Sequence, residues 1–136
     1  MEVNLHIYSG IGNLIAIVDG IRNDLHISSK EVDHVYNFHG VNFDQLIILL
    51  PPSDPQNDLD VKIFNNDGSI ASNCINGARC VGRFIKDNSL LASNKFKVKT
   101  DGGLWELDNI ENNIFSAAFE AKAELITKKV EAKGIE

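Results

Sequence analysis

Asn65-Asn66-Asp67-Gly68-Ser69 is followed, after three residues, by Asn73-Cys74-Ile75-Asn76-Gly77-Ala78-Arg79-Cys80. The first stretch reads as a tight turn. Asn, Asp and Gly accept the backbone angles that turns require, and Asn and Asp side chains bond their own backbone. The second opens an amphipathic segment. Gly77, Cys80, Val81, Phe84 and Ile85 recur at helical spacing on one face, with Arg79, Gly82, Arg83 and Lys86 on the other. Cys74 therefore stands just before the first turn of a predicted helix. The N–H groups there lack intrahelical partners and the helix dipole is positive. A thiol so placed loses its proton more readily, and the thiolate is the reactive form. The same N–H groups suit a carboxylate. Cys80, on the apolar face, reads as a packing residue.

Working outward, the 136 residues suffice for one domain with its own core. A 43% hydrophobic and 24% charged composition is that of a globular protein. The net charge of −6 leaves no basic footprint for nucleic acid or an anionic membrane surface. The longest apolar run, Leu46 to Leu50, is of strand length. The N-terminus lacks the basic start and apolar core of a signal peptide. Two cysteines, six positions apart, do not make a disulfide framework. A reducing, cytoplasmic setting is expected. His6, His26, His34 and His39 show no metal-ligand spacing, so no metal site is expected.

Val3 to Tyr8 alternates as a half-buried strand, with Val3, Leu5 and Ile7 as its apolar side. Leu14 to Val18 reads as a strand buried on both faces. Ser28 with Glu31 forms a capping box that starts a helix striped by Val32, Val35 and Tyr36 and closed by Gly40. Phe43 to Leu50 is a strand stopped by Pro51-Pro52. Gln45 in that strand is notable, because an amide among apolar residues needs partners. Leu59 to Phe64 alternates with Leu59, Val61 and Ile63 inward. Phe96 to Thr100 and Leu104 to Leu107 form a hairpin around Asp101-Gly102-Gly103, and Ile114 to Phe119 is a further strand. The segment from Glu120 to Glu136 carries only a weak apolar stripe. About seven strands and two helices add up to a single α+β domain.

Three stretches resemble the N-terminal half of diaminopimelate epimerase. They are Gly10-Ile11-Gly12-Asn13, Gly40-Val41-Asn42-Phe43-Asp44-Gln45, and Ile63 to Ser69 running on to Cys74-Ile75-Asn76-Gly77-Ala78-Arg79-Cys80. The resemblance implies a mixed, barrel-like sheet wrapped around a central helix over residues 1–119. Residues 120–136 would be a tail or the start of an interdomain connection. It also implies an amino-acid isomerase of lysine and cell-wall biosynthesis that interconverts LL- and meso-diaminopimelate without pyridoxal phosphate or any other cofactor. By position, Cys74 matches the first domain's catalytic cysteine. Asn13, Gln45 and Asn65 match substrate contacts, and Ile75 and Asn76 supply N–H groups to the substrate carboxylate.

Inverting a stereocentre means taking a proton from one face of Cα and returning one to the other. One thiolate serves as base and one thiol as acid. Preorganised donors stabilise the charge that develops. The sequence departs from the family pattern at Ile75, where glycine is usual, and at Leu14-Ile15, where Asp-Phe is usual. Asn42 replaces another glycine. Neither a second Cys-Gly-Thr-Gly motif nor the Glu-Arg pair of the second domain is among the 136 residues. The expectation is therefore an epimerase domain, inactive alone, completed by a second domain or by a homodimer partner. The alternative is a non-catalytic domain that binds a small amino acid or a partner protein.

Overall fold

A computed structural model describes residues 4–9, 12–23, 25–38, 40–71, 75–111 and 114–120. Strand β1 (His6–Ser9) pairs antiparallel with β2 (Leu14–Asp19), and β2 pairs parallel with β3 (Gln45–Leu50). Helix α1 (Ser29–Phe38) makes the crossover between β2 and β3. Strand β4 (Leu59–Asn65) lies antiparallel to β3. Its other edge is shared: β5 (Ile70–Ala71) pairs with the Ile63–Phe64 end, and β6 (Lys95–Thr100) pairs parallel with the Leu59–Asp60 end. Helix α2 (Ile75–Asp87) lies between β5 and β6 in the chain. Strands β7 (Gly103–Glu111) and β8 (Ile114–Glu120) complete the sheet as an antiparallel meander.

Two parallel crossovers, β2–α1–β3 and β4–α2–β6, therefore step the same way across the sheet. Their strands point in opposite directions, because β3 and β4 are antiparallel. Parallel crossovers are right-handed, so the two helices must lie on opposite faces. Burial bears this out. Ile15, Ile17, Ile47, Leu49, Leu59, Val61 and Ile63 share one core cluster with Ala78, Cys80, Val81, Phe84 and Ile85 of α2. The alternate residues, Ala16, Val18, Leu46, Ile48 and Phe64, share the other with Val32, Val35 and Tyr36 of α1. Helix α2 lies close both to β2 near one end of the strand order and to β7 and β8 at the other. The sheet thus curls around α2, and α1 covers its outside. This is the expected α+β fold with a central helix.

The capping box at α1 is formed. Ser28 N donates to Glu31 Oε1 at 3.0 Å, and Glu31 N donates to Ser28 Oγ at 3.3 Å. Several expectations need correction. On β1 the rings of His6 and Tyr8 meet Phe84 of α2 edge-on, while on the other side Ile7 is 44% exposed and Leu5, just before the strand, packs with the α1 cluster. Alternation finds two faces but not which one a helix covers, and an edge strand is only partly enclosed. Phe43 precedes β3 rather than starting it; its ring turns under α1 against Tyr36, 5.4 Å between centroids. Strand β5 was not expected, and β7 extends to Glu111 instead of ending at Leu107. There are thus eight strands among the described residues rather than seven. Gly82, expected on the polar side of α2, is buried because the curled sheet encloses more than one face of the helix. Val3, Cys74 and residues 121–136 lie outside the described residues. No helix among those described is long and apolar enough to cross a membrane.

Candidate active site

Parallel pairing of β2 with β3, and antiparallel pairing of β3 with β4, bring three residues side by side. Ile15 is opposite Gln45, and Gln45 is opposite Asn65. Side chains alternate along a strand. Gln45 therefore shares the face of Ile47 and Leu49, and Asn65 that of Ile63 and Val61, which is the face packed on α2. The two amides end the apolar rows of the inner core at one end of the sheet. Both are half-buried, and Gln45 Nε2 donates to Asn65 Oδ1 at 3.2 Å. The amide in the apolar strand has the partner it needed.

Asn65 also builds the turn. Its N–H donates to Ser69 O at 2.8 Å, and Gly68 N donates to Asn65 O at 2.9 Å. Its Nδ2 donates to Ser69 Oγ at 3.0 Å. Ser69 in turn donates twice to Asp67 Oδ1, from its N–H at 2.9 Å and from its hydroxyl at 2.6 Å. These bonds, the hydroxyl's first, hold the Asp67 carboxyl below the usual carboxylate range. Asn66 Nδ2 donates to Phe43 O at 3.3 Å, which ties the turn to the chain entering β3. Turn and site were alternative readings of Asn65 in the sequence; its backbone closes the turn while its side chain faces Gln45.

Asn13 is half-buried and stands two residues before Ile15, at the same end of the sheet. Asp44 fixes this entry. Its carboxylate accepts Leu14 N–H at 2.7 Å, and its own N–H donates to Leu14 O at 2.8 Å. Ile75 begins α2 and Asn76, half-buried, follows in its first turn. Four residue steps separate Ile75 from Ala71, which pairs with Ile63. An extended chain of that length spans at most about 14 Å, so the start of α2 is tethered near the Asn65 end of β4. Cys74 immediately precedes this helix in the sequence and lies outside the described residues. The amide pair and the entry at Asn13 thus share one sheet end, with α2 held near it by chain length.

Asp44, Asp67 and Ser69 belong to this arrangement and were missed as site residues. The Asp-Gly-Ser turn signal pointed to the last two, but only as turn formers. A separate depression of about 490 Å³ opens at the opposite end of β4, between Asp58, Lys95, Lys97, Glu106 and Asp108. None of the expected site residues lines it. Its charges are of both signs, with Lys95 Nζ 3.8 Å from Asp108 Oδ2. Among the described residues no cluster of three His, Cys, Asp or Glu could hold a metal.

Solved structures share the fold. A phenazine biosynthesis protein of the PhzF family from Bacillus anthracis aligns over 79% of this chain and 36% of its own, with a TM-score of 0.61 and 20% identity. Methylitaconate-delta-isomerase aligns over 90% of this chain and 66% of its own, with a TM-score of 0.59 and 20% identity. By sequence, the chain is 44% identical over 100 residues to diaminopimelate epimerase of Stutzerimonas stutzeri (strain A1501). It is 42% identical over 100 residues to that of Pseudomonas fluorescens (strain Pf0-1). Each match covers 73% of this chain and 36% of the relative, so the chain spans about a third of the length of these curated relatives. The sequence model of the diaminopimelate epimerase family matches residues 5–118, and the chain belongs to that family.

Proposed function

We propose that residues 1–119 form the first domain of a pyridoxal-independent epimerase that interconverts LL- and meso-diaminopimelate, with residues 120–136 leading out of it. The observation that carries this reading is the family match, whose span of residues 5–118 takes in the turn and helix motifs that flank Cys74. In this reading Cys74 moves the proton at Cα. The N–H groups of Ile75 and Asn76 hold the α-carboxylate as the carbanion's charge develops. Asn13, Gln45 and Asn65 orient the rest of the substrate from the sheet end.

Inversion needs a second acid on the far face of Cα. Cys80 does not suit that role, since it is 5% exposed within the α2 core. We place the second thiol in a second domain or in a second copy of the chain, and the enzyme in the cytoplasm without a cofactor. Ile75 favours one other reading, a domain that binds a small amino acid without turning it over. Glycine, usual at that position in the family, leaves a backbone free to approach a carboxylate closely.

Thiol alkylation followed across pH separates the two cysteines. Cys74 should react first, at a lower pH than an ordinary thiol, and diaminopimelate should protect it. Faster alkylation of Cys80 would remove Cys74 from the centre of the mechanism.

A further inference from the structure

The three amides of the site are not held alike. Gln45 and Asn65 meet side chain to side chain at 3.2 Å, and the β3–β4 register sets them opposite each other. Asn13 precedes β2, and among the described residues its side chain makes no hydrogen bond. The chain before it is not packed either. Gly12 is exposed at φ +79°, and a β-carbon there would meet nothing within 4 Å. The place of Asn13 must therefore come from the peptide that follows it. The N–H of that peptide is Leu14 N–H, which donates to Asp44 Oδ2 at 2.7 Å. The next carbonyl, Leu14 O, accepts from Asp44 N at 2.8 Å. Peptide units are planar, so fixing the direction of the Leu14 N–H fixes ψ at Asn13. A short bond to a carboxylate is of the stronger, charge-assisted kind. Asp44 is itself anchored. The Phe43 ring before it is fully buried, the Phe43 carbonyl accepts from Asn66, and Gln45 after it begins β3.

We propose that Asp44 is the positioning residue for Asn13. Its carboxylate clasps the Leu14 peptide and so sets where the Asn13 amide meets an amino-acid substrate, without touching substrate itself. The step to substrate rests on the isomerase reading above; the clasp does not. What the clasp requires is an acceptor for one N–H, not a negative charge. This separates Asp44 from a carboxylate that pairs with a substrate ammonium, where the charge does the binding.

Asp44→Asn and Asp44→Ala make the test. Asparagine turns its carbonyl oxygen to Leu14 N–H and keeps the clasp without the charge; alanine removes it. Both should fold, because Asp44 is exposed and the β2–β3 ladder, from Ile15 opposite Gln45 to Asp19 opposite Leu49, does not use its side chain. Residual dipolar couplings of the Leu14 N–H in the full chain read the direction of this peptide without any substrate. They should keep the wild-type value in Asp44→Asn and shrink in Asp44→Ala. Affinity for LL-diaminopimelate, measured by calorimetry, should fall about five- to ten-fold in Asp44→Ala and at most about two-fold in Asp44→Asn. Asn13→Ala should lose as much as Asp44→Ala, and the double variant no more than either, since both changes disable one contact. Couplings that do not change in Asp44→Ala overturn the clasp. An equal loss of affinity in Asp44→Asn and Asp44→Ala, with couplings kept in the first, assigns the carboxylate to the substrate and overturns the positioning role. Losses that add in the double variant overturn it as well. If wild type binds no diaminopimelate, the isomerase reading fails, and the couplings alone decide the clasp.

Discussion

A β-carbon added to Gly68 would lie 2.3 Å from the carbonyl oxygen of Ser29, in the first turn of α1. Gly68 also has φ +88°, which L side chains rarely adopt. One residue therefore presses the turn that carries Asn65 against the start of α1, where Ser28 and Glu31 close their capping box. The obstacle is backbone on both sides, so neither partner can swing away. Gly68→Ala is predicted to lower the unfolding free energy by at least about 1–3 kcal/mol from backbone strain alone, with the clash added to it. Urea denaturation measures this, and an unchanged midpoint would mean the turn does not lean on α1. The same scale explains what was legible at the site. Asn65 and Gln45 stood out as polar residues in or beside apolar strands. Their pairing did not, because it depends on the β3–β4 register. The bonds that run from Asn65 to Ser69 and from Ser69 to Asp67 form a row that no local pattern displays.

At the scale of elements, α2 is held at both flanks. Phe84 is fully buried and meets the rings of His6 and Tyr8. At the end of the helix Tyr8 donates to Asp87 Oδ2 at 3.0 Å, and Arg83 Nε lies 3.2 Å from both Asp87 oxygens. Nearby Asn88 accepts from Arg22, whose other bond goes to buried Asp19. Burial would raise the Asp19 carboxyl, but hydrogen bonds from Arg22 and Ile21 N–H bring it below its ordinary value. Burial, followed by the bond to Asp87, pushes the Tyr8 phenol from 10 up to about 12. A value raised in the folded state means that the folded protein holds the proton more tightly. The stabilisation is complete below pH 10 and is lost as the pH rises toward about 12. Tyr8→Phe should cost roughly 0.5–1 kcal/mol at neutral pH and flatten this alkaline decline. Denaturation curves at pH 8, 10 and 11.5 test it; an equally steep decline in the variant would assign the alkaline loss to another group. The helix itself was legible from its apolar period, and α1 from its cap. Which side of β1 meets α2 was not, since it depends on where α2 ends. Strand β5, two residues long, is too short to carry a period.

Across the whole molecule, the right-handed crossovers put one helix inside the curled sheet and one outside. They also gather the starts of β2 and β3 with the end of β4, so that Asn13, Gln45 and Asn65 come from distant parts of the sequence to one sheet end. The family's motifs fall on these three strands, which is why the resemblance named residues that the fold brings to one sheet end. The central claim is that this domain carries one of the two thiols of an epimerase. A single base suffices to exchange a Cα proton with solvent, whereas inversion needs a second group on the opposite face. The 136-residue chain should therefore be incubated with LL-diaminopimelate in heavy water and the substrate followed by mass spectrometry, with Cys74→Ala beside it. The account predicts slow deuterium incorporation at Cα by the native sequence, without meso isomer forming at an enzymatic rate, and none in Cys74→Ala. Incorporation that persists undiminished in Cys74→Ala would contradict it.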